Sequence, residues 1–501
     1  RVAMMVEAAQ PRLLIDTRRN VSLLPDSIGI PVIRIDANDL QDGIATTGIE
    51  NSIPHAGTQL AYVMFTSGST GRPKGVQVSR SALANAIFSF ATDPGICASD
   101  VLISVTTPSF DISLVEMFCP LIVGAHAYIL DEMSVRDGRE IAHVLRREKA
   151  SLMQATPATW KLLINEGSFP GLRAWSGGEA LSVDLMQHLD NAVAGVWNFY
   201  GPTETTIWSA VGKMTDGPVH VGGPVAGTNL FIVDPRGHMV PPGAIGELMI
   251  AGEGVSRGYR HDPRQTAQAF TPIDGGSRAY HTGDLARWNA EKLEILGRTD
   301  RQIKIMGHRI EPGEIETALR RSPLIVDAAA GITKDARLIA WFVPKEEGAP
   351  IQIEEHLAGL LPAYMIPAEC IEISALPLTA NGKVDTSALL ALMPASLGSS
   401  PVKGSADEDP IVRFVALACG LTIKNQTVAF DQDFMASGGH SLHLMQLRTR
   451  LEKLTGQEIA LGDLFIAGTP RRMAASIIAD SPNAEEIRQR ASIIIAQLEN
   501  R

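Results

Sequence analysis

The feature that most constrains this chain is a glycine-rich loop between two apolar runs, YVMFTSGSTGRPKGVQVS at residues 62–79. Glycine has no Cβ, so the backbone N–H groups of such a loop can turn inward. Successive inward N–H groups form a concavity that binds phosphate. The predicted phosphate contacts come from hydroxyl side chains, glycines and one cation: Thr66, Ser67, Gly68, Ser69, Thr70, Gly71 and Lys74.

A flexible linker can have the same composition. A linker, however, does not need a lysine directly after a proline, and it rarely follows a strand-like run such as AYVMF. The common P-loop pattern, G-x-x-x-x-G-K-[ST], does not fit either. It requires Ser or Thr directly after the lysine, whereas Gly75 and Val76 follow Lys74. The loop therefore predicts a site for nucleotide phosphates outside the common ATPase fold.

Composition narrows the class of protein. A length of 501 residues is typical of about three domains, and 45% hydrophobic residues allow large cores. There is no apolar run of membrane-spanning length, and the net charge of −11 disfavours nonspecific binding to nucleic acid. The 4 cysteines lie far apart without a C-x-x-C pair, which predicts neither a metal site nor a disulfide framework and suits a cytoplasmic protein.

The pattern along the chain predicts several domains. Strand-like runs such as GELMIAG alternate with helical segments over the first part, as in α/β proteins, and LIAWFVP is a strand-like run further along. A smaller mixed unit follows, then a stretch rich in Gly, Ser and Pro that is typical of a linker, then segments of helical periodicity. The predicted boundaries are a large core at 1–297, a small unit at 298–393, a linker at 394–410, a helical bundle at 411–480 and a helical tail at 481–501.

Several motifs occur together in one order. FTSGSTGRPKGV, FDISLVEMF, NFYGPTETT, GELMIAGEGVSRGY, YHTGDLARW, GRTDRQIKIMGHRIEPGEIE and NGKVD together resemble the adenylation domains of nonribosomal peptide synthetases, which are acyl-adenylate-forming enzymes. DQDFMASGGHSL resembles a peptidyl carrier domain. The resemblance implies a large α/β core whose N-terminal part is expected to be missing, a small mobile α+β subdomain and a four-helix-bundle carrier.

The resemblance also implies that ATP and Mg²⁺ bind at the YGPTET motif. Tyr200 would stack on adenine, Thr203 would contact the α-phosphate, and Glu204 would hold Mg²⁺. A hard cation held by one carboxylate and by phosphate oxygens is ordinary Mg²⁺ chemistry. Without the resemblance, the same residues equally favour an N-capping turn before a helix.

Four further residues receive roles from the resemblance. Asp284 would bind the ribose hydroxyls, Arg298 would reach the ribose or a phosphate, and Asp300 would be the hinge between the subdomains. Lys383, beyond the Asn-Gly turn of NGKVD, matches the catalytic lysine that bridges the substrate carboxylate and the α-phosphate. The alternatives are an ordinary turn for Asp284, a hairpin turn residue for Asp300 and, for Lys383, a solvated lysine, which is the usual case beyond a turn.

Ser441 is predicted to carry the phosphopantetheine arm. It follows a Gly-Gly-His turn and precedes a helix, and helix N-termini favour anions such as the phosphate of that arm. The apolar residues of that helix recur at helical spacing: Leu444, Leu447, Leu451 and Leu454. The alternative is a plain N-capping serine.

The resemblance maps an amino-acid pocket closed by Lys383, and the remaining lining residues are Asp111, Ile112, Val115, Gln154, Trp175, Gly177, Phe199, Ile207 and Trp208. Asp111 would pair with the α-ammonium group of the substrate. Two Trp and one Phe bring large apolar volumes, which predicts glycine as the substrate, with alanine second. The alternative is that these aromatic residues belong to the core and point away from the ligand.

The predicted function is ATP-dependent activation of an amino acid and its transfer to the phosphopantetheine thiol as an aminoacyl thioester. Two alternatives stay open, a free-standing acyl- or aryl-CoA ligase and a non-catalytic scaffold that presents a carrier. The expected partners are the amino acid, other synthetase domains and a phosphopantetheinyl transferase. The need for an MbtH-like protein stays open, and neither nucleic acid nor a membrane is expected.

Overall fold

The structure is a computed structural model of the chain. It describes residues 2–17, 29–35, 56–68, 73–215, 217–273, 276–305, 307–333, 337–346, 353–377, 384–392, 409–423, 428–435, 437, 439, 441–479, 481 and 483–499. The chain divides into two compact units, Arg1–Leu130 with Val144–Glu314, and Asp131–His143 with Ile315–Arg501. None of the helices in these described ranges has the length and apolar character of a membrane span.

The first unit contains most of the strands of the chain. Its helices are α1 (Val2–Ala9), α2 (Arg80–Phe90), α3 (Ile112–Val123), α4 (Gly138–Arg147, which begins in the second unit), α5 (Pro157–Leu163), α6 (Val183–Ala192) and α7 (Pro263–Ala269). Its strands up to the first sheet's end are β1 (Leu14–Thr17), β2 (Val32–Ile35), β3 (Leu60–Thr66), β4 (Lys74–Ser79), β5 (Val101–Ser104), β6 (His126–Ile129), β7 (Leu152–Ala155), β8 (Phe169–Gly177), β9 (Val193–Tyr200), β10 (Ala210–Lys213) and β11 (Gly223–Pro224). The strands that follow are β12 (Thr228–Val233), β13 (Gly246–Gly252), β14 (Phe270–Pro272), β15 (Arg278–Asn289), β16 (Lys292–Arg298), β17 (Ile303–Ile305) and β18 (His308–Ile310).

A seven-stranded sheet in the order β11-β10-β9-β8-β7-β5-β6 forms the centre of the first unit. Strands β9, β8, β7, β5 and β6 are parallel. Most residues of β5, β7, β8 and β9 are buried, as expected where a sheet is covered on both faces, whereas the edge strand β6 has no buried residue. The register places Gln154 beside Trp175 and Gly177 beside Phe199. In open α/β sheets, ligands bind outside the carboxyl ends of the strands, and these residues lie at that edge.

A second sheet of the same unit is antiparallel, in the order β12-β13-β15-β14 with β16 on β15. Buried and partly exposed residues alternate along β15, which is typical of a sheet with one covered face. Its register places Asp284 directly opposite Arg298. Two residues that lie 14 positions apart in sequence are thereby neighbours on adjacent strands.

The small subdomain in the second unit has a three-stranded sheet in the order β19-β20-β21. Its elements are α8 (Pro312–Arg320, which begins in the first unit), β19 (Ile325–Ile332), β20 (Leu338–Pro344), α9 (Ile353–Ala358), β21 (Glu369–Glu372) and α10 (Thr386–Ala391). Its core consists of Trp341, which is 0% exposed, with Ala329, Ile339 and Leu389. Most of the predicted linker, at 394–408, lies outside the described residues.

Helices form the rest of the second unit: α11 (Pro410–Thr422), α12 (Ser441–Thr455), α13 (Leu461–Ala467), α14 (Pro470–Ile478) and α15 (Ala484–Glu499). Asp409 caps α11, and Pro410 occupies its first turn, where a missing N–H removes no helical hydrogen bond. The four leucines of α12 predicted to share one face are all buried in the core. The predicted fold class of large α/β core, small α+β subdomain and helical carrier is confirmed.

Helix α15 packs into the core of the carrier bundle. Ile487, Ala491 and Ile495 recur at helical spacing and are at most 5% exposed. Arg488 on the same helix contacts Asp409, the cap of α11, at 3.0 Å. The segment that the sequence predicts as a tail therefore adds a fifth helix to the bundle.

Charged side chains join α12 to residues 131–143 within the second unit. Arg448 donates a 2.6 Å hydrogen bond to Asp137, and both side chains are buried. Arg139 donates two hydrogen bonds of 2.7 Å to the carboxylate of Glu452. Removal of one partner of such a buried pair leaves an uncompensated charge, so these contacts hold α12 against that segment.

Replacement of Ile487 by Ala is expected to destabilise the carrier bundle by ~2–5 kcal/mol, because it removes buried methyl groups and leaves a cavity. Ile493→Ala is the matched control in the same helix, since Ile493 is 59% exposed. Its effect should stay within about 0.5 kcal/mol. Native-state hydrogen exchange of the α11 amides in the full chain measures the destabilisation that each variant causes. Equal destabilisation by the two variants would contradict a structural role for α15 in the bundle.

Candidate active site

Most of the predicted site residues meet at the carboxyl edge of the seven-stranded sheet. Gln154 lies at the end of β7, Gly177 ends β8, and Tyr200 ends β9. A short 3₁₀ turn, Thr203–Thr205, follows β9 and carries Glu204. Strand ends that are adjacent in a parallel sheet bring residues from distant parts of the sequence to one edge, which explains why the site is assembled there.

The residues predicted to bind the adenosine form one network. The hydroxyl of Tyr200 donates to Asp284 at 2.5 Å, and Arg298 donates to the other oxygen of Asp284 at 2.6 Å. Arg298 also donates two hydrogen bonds of 2.7 Å to Asp300. Tyr200, Asp284, Arg298 and the predicted hinge Asp300 are thus connected, and each contact holds the next side chain in place.

The described part of the phosphate loop lies near Arg309 and Tyr259. Thr66 and Lys74 face each other across the β3–β4 hairpin, and Ser69, Thr70 and Gly71 between them lie outside the described residues. Within the described part of the chain, the hydroxyl oxygen of Thr66 is buried without a hydrogen-bond partner. Burial and the nearby charge of Arg309 lower the pKa of Lys74, whose ammonium lies 5.3 Å from the ring centre of Tyr259.

Glu204, the predicted Mg²⁺ ligand, forms a buried ion pair. Its side chain is fully buried, and Arg309 donates to its two oxygens at 2.9 and 3.1 Å. Tyr259 donates a further hydrogen bond of 2.9 Å. Burial raises the pKa of Glu204, but the charge of Arg309, the hydrogen bond from Tyr259 and the charge of Lys74 together lower it below its ordinary value.

Arg309 belongs to the β17–β18 hairpin, which follows the predicted hinge. The hydroxyl of Ser67 donates to the carbonyl of Arg309 at 2.6 Å, and the Gly307 N–H donates to the carboxylate of Glu179. The ring of His308 lies 4.9 Å from that of Phe110, edge to face. This hairpin therefore lies over the site, whereas Lys383 lies outside the described residues.

Asp111 supplies a buried carboxylate next to the Thr203–Thr205 turn. It occupies the N-cap position of α3 without making a side-chain capping bond, and it is 6% exposed. Among the described residues, its Oδ2 has no hydrogen-bond partner. Burial raises the pKa of Asp111 to about 6, against an opposing hydrogen bond from Thr203. An unpaired buried carboxylate is costly, so this position favours a cationic ligand.

The three predicted pocket aromatics contact one another. The ring centre of Phe199 lies 5.1 Å from that of Trp175 and 5.8 Å from that of Trp208. All three are at most 2% exposed and share one core cluster with the other apolar pocket residues, Ile112, Val115 and Ile207. Gly177 lies under Trp208, and a Cβ there would come within 2.6 Å of the indole ring.

Glu116 is a buried residue of this site that the sequence predictions did not include. It lies on α3, is 0% exposed and accepts a hydrogen bond of 3.3 Å from the amide of Gln154. Burial raises the pKa of Glu116 to about 7, although hydrogen bonds from Thr106 favour its charged form. A charged residue in the apolar run FDISLVEMF was the signal that could have indicated a buried polar role.

Arg309 and Tyr259 were also missing from the predictions. Both meet Glu204, although they lie 105 and 55 positions away in sequence. The only signal for Arg309 was its place among the basic residues Lys304 and His308 in the run IKIMGHRI. Among the described residues, no group of three or more His, Cys, Asp or Glu is placed to hold a metal ion.

Three protein families match the chain in succession. The AMP-binding enzymes match residues 1–260, the C-terminal domain of AMP-binding enzymes matches residues 314–383, and the phosphopantetheine attachment site matches residues 410–477. Ser441, the predicted attachment residue, lies in the third match as the first residue of α12.

Similar proteins include a dimodular nonribosomal peptide synthase of Bacillus subtilis (strain 168), 37% identical over 95% of this chain and 20% of that protein. Tyrocidine synthase 2 of Brevibacillus parabrevis is 33% identical over 97% of this chain and 14% of that protein. The chain thus spans a fifth or less of the length of these two relatives.

Two solved structures resemble the fold. One is a holo nonribosomal peptide synthetase protein containing adenylation and carrier domains, bound to a vinylsulfonamide inhibitor, with a TM-score of 0.77, 25% identity and coverage of 96% of this chain and 82% of that chain. The other is a holo four-domain nonribosomal peptide synthetase bound to AMP and glycine, with a TM-score of 0.55, 33% identity and coverage of 96% and 36%.

These matches confirm the predicted family and the predicted cofactors, ATP with Mg²⁺ for adenylation and phosphopantetheine for the carrier. They also agree with an amino-acid adenylating ligase rather than with a scaffold. The chain belongs to the AMP-binding enzymes, as an adenylation domain followed by a phosphopantetheine carrier domain of the nonribosomal peptide synthetase type.

Proposed function

We propose that this chain activates glycine as glycyl-AMP and transfers it to the phosphopantetheine thiol on Ser441. In this proposal the chain works in the cytoplasm with other domains of a nonribosomal peptide synthetase. A phosphopantetheinyl transferase loads Ser441, and whether an MbtH-like protein takes part is left to experiment. Alanine is the second candidate substrate.

The buried carboxylate of Asp111 is the observation that carries the amino-acid assignment. Its Oδ2 has no partner within the described residues, and no cation there neutralises it. An α-ammonium group supplies both a positive charge and N–H donors, so it compensates the cost of burying this oxygen. Fatty and aryl acids, the substrates of the alternative CoA ligases, lack such a group.

The packing of the pocket supports a small substrate. Trp175, Phe199 and Trp208 fill the space beside Asp111 and leave it without a charged group for a polar substrate side chain. An extra methylene in a filled pocket is rejected by overpacking, at roughly 1–3 kcal/mol. The four-domain relative that was solved with AMP and glycine, at 33% identity, supports the same choice.

In the proposed first step, a carboxylate oxygen of the amino acid attacks the α-phosphorus of ATP. The bond from that phosphorus to the bridging oxygen breaks, and pyrophosphate leaves with the electron pair. A carboxylate is a weak nucleophile, so the chain contributes positioning and charge neutralisation. Asp111 orients the ammonium group, Lys74 neutralises the leaving phosphates, and Lys383 bridges the substrate carboxylate and the α-phosphate.

When bound, Mg²⁺ would neutralise charge on the phosphates. Glu204 fits it as a single carboxylate ligand, but in the described arrangement both of its oxygens accept hydrogen bonds from Arg309. Withdrawal of the β17–β18 hairpin frees this carboxylate. The small subdomain therefore has two proposed positions, one with Lys383 at the site and one with Arg309 at the site.

In the proposed second step, Ser441 would hold the phosphopantetheine arm, whose thiol would supply the nucleophile for the carbonyl carbon of the adenylate. The bond from that carbon to the AMP oxygen would break, AMP would leave, and the thiol proton would pass to solvent. Arg309 then neutralises Glu204 after pyrophosphate has left. The arrangement with the hairpin over the site, through Ser67 and Glu179, supports this assignment.

Amino-acid-dependent ATP–pyrophosphate exchange across a full amino-acid panel tests the substrate. Glycine should give the highest kcat/KM, with alanine lower by ~10–200-fold, the discrimination that one methyl group provides. Serine and a large apolar amino acid should be weaker still. Preference for the large amino acid would refute the pocket assignment, and preference for alanine would mean that the aromatic residues lie further from the ligand.

Variants on either side of the hinge test the two positions of the small subdomain. Lys383→Ala should reduce pyrophosphate exchange by ~10²-fold or more and spare thioester formation from added glycyl-AMP. Arg309→Met should do the opposite, slowing the thioester step about 10-fold or more, because it leaves Glu204 buried without its cation. Equal loss of both steps in either variant would contradict the assignment.

The pH dependence of kcat/KM for glycine tests Asp111. Because the pKa of Asp111 is raised to about 6, the protonated form predominates below that pH and does not pair with an ammonium group. The value of kcat/KM should therefore fall about tenfold per pH unit below 6 and level off above it. The Asp111→Asn variant should have a much lower kcat/KM that no longer falls below pH 6. If the fall persists in this variant, the ionisation belongs to another group.

A further inference from the structure

A buried carboxylate below the amino-acid pocket is held by hydrogen-bond donors alone. Glu116 accepts hydrogen bonds from the Ser104 hydroxyl at 2.7 Å, from the backbone N–H groups of Val105 and Thr106 at 3.0 Å, and from the Thr106 hydroxyl at 2.5 Å. The amide of Gln154 donates a fifth bond at 3.3 Å. The two backbone N–H groups and the amide of Gln154 can only donate, so these three contacts require acceptor oxygens on residue 116.

Of these five donors, only Gln154 belongs to the predicted pocket. Its NH₂ group donates to Glu116, so its carbonyl oxygen faces the opposite way, where the indole N–H of Trp208 donates to it at 3.5 Å. The direction of the amide is thus set by the acid behind it. A polar chain runs from Glu116 through Gln154 to the ring of Trp208, and all three side chains are at most 2% exposed.

The backbone holds Trp208 from the other end. Thr206 and Ile207, the two residues before it, have φ of 64° and 71°, a left-handed conformation that is strained for β-branched residues. The Thr206 hydroxyl anchors this turn through a 2.6 Å hydrogen bond to the carbonyl of Gly254. The ring is directed over Gly177, where a Cβ would be 2.6 Å away.

We propose that Glu116 is a specificity-determining positioning residue, which holds the ring of Trp208 through Gln154 as the wall that limits the substrate side chain. Glu116 does not touch the substrate in this proposal. The inference rests on the proposed amino-acid pocket and deepens it, since it assigns the discrimination between glycine and alanine to a residue outside the mapped lining. A glutamate that served the fold alone would affect all substrates alike.

Glu116→Gln tests the proposal with almost no change of shape. Its NH₂ group would face Gln154, whose amide must then turn its oxygen towards residue 116 and its NH₂ towards the indole N–H of Trp208. Two donors would then meet, and the ring would lose its acceptor. In pyrophosphate exchange, the glycine-to-alanine ratio of kcat/KM should fall by about 10-fold, with a raised KM and a nearly unchanged kcat for glycine.

Ser104→Ala is the matched control. It removes a hydrogen bond from the same carboxylate, at Oε2, which is the oxygen that Gln154 does not contact. The substrate ratio should remain that of the unaltered chain. If the glycine-to-alanine ratio of kcat/KM falls as far as in Glu116→Gln, then loss of any hydrogen bond to this carboxylate acts through the fold. That result would overturn the proposal.

A second variant keeps the proposal testable if Glu116→Gln does not fold. Gln154→Met has similar volume and removes the amide, so it should relax the substrate ratio while Glu116 and its other donors stay in place. An unchanged ratio in either folded variant, or an equal loss of activity with glycine and alanine, would overturn the proposal.

The amino-acid panel, measured by pyrophosphate exchange with the unaltered chain, separates the glycine assignment from the proposed role of Glu116. If that chain prefers a larger amino acid, the glycine assignment fails. Glu116 is then tested by the ratio of that amino acid to its next longer homologue, which should still fall in Glu116→Gln if the residue positions the wall. A constant ratio would overturn the role of Glu116 independently of the substrate.

Discussion

The buried ion pair of Glu204 and Arg309 determines the arrangement of the candidate site. Glu204 is fully buried and accepts hydrogen bonds from Arg309 and Tyr259, which is the condition under which a charge is tolerated in the interior. Loss of one partner from such a pair is far more costly than loss of both. The β17–β18 hairpin therefore leaves the site favourably only when another cation replaces Arg309, and this requirement connects the position of the hairpin to the occupancy of the phosphate site.

The amino-acid pocket follows a similar rule on a smaller scale. In the proposed pocket the walls are apolar, and we assign recognition of the substrate to Asp111 and the limit on its size to the contacts of Gln154. Gln154 is satisfied within the protein, whereas Asp111 has an oxygen without a partner in the described structure. In the proposal, the hydrogen-bonded Gln154 positions the wall of the pocket, whereas Asp111 binds a ligand that supplies the missing donor. The same carboxylate chemistry thus serves rigidity at Glu116 and recognition at Asp111.

Much of the fold was predictable from local patterns. The runs GELMIAG and LIAWFVP are strands β13 and β20 over the same residues, and the four leucines of α12 face the carrier core as their spacing predicts. These predictions succeed because alternation and helical periodicity are local consequences of which face is buried. Helix α15 was predicted as helical, and the spacing of Ile487, Ala491 and Ile495 marks an apolar face, but which partners cover that face depends on α11 and the rest of the bundle.

The sequence by itself determined the family, the order of the domains and the identity of the chemical groups, because the motifs carry those groups in short contiguous stretches. Only the tertiary structure decided which groups meet. Arg309 reaches Glu204 across 105 positions, and Glu116 reaches Gln154 across 38. No local pattern encodes such contacts, because they arise where neighbouring strands end and where a hairpin lies on a distant turn. The physical reason is burial: a charged group withdrawn from water must find its partner in space, wherever in the chain that partner lies.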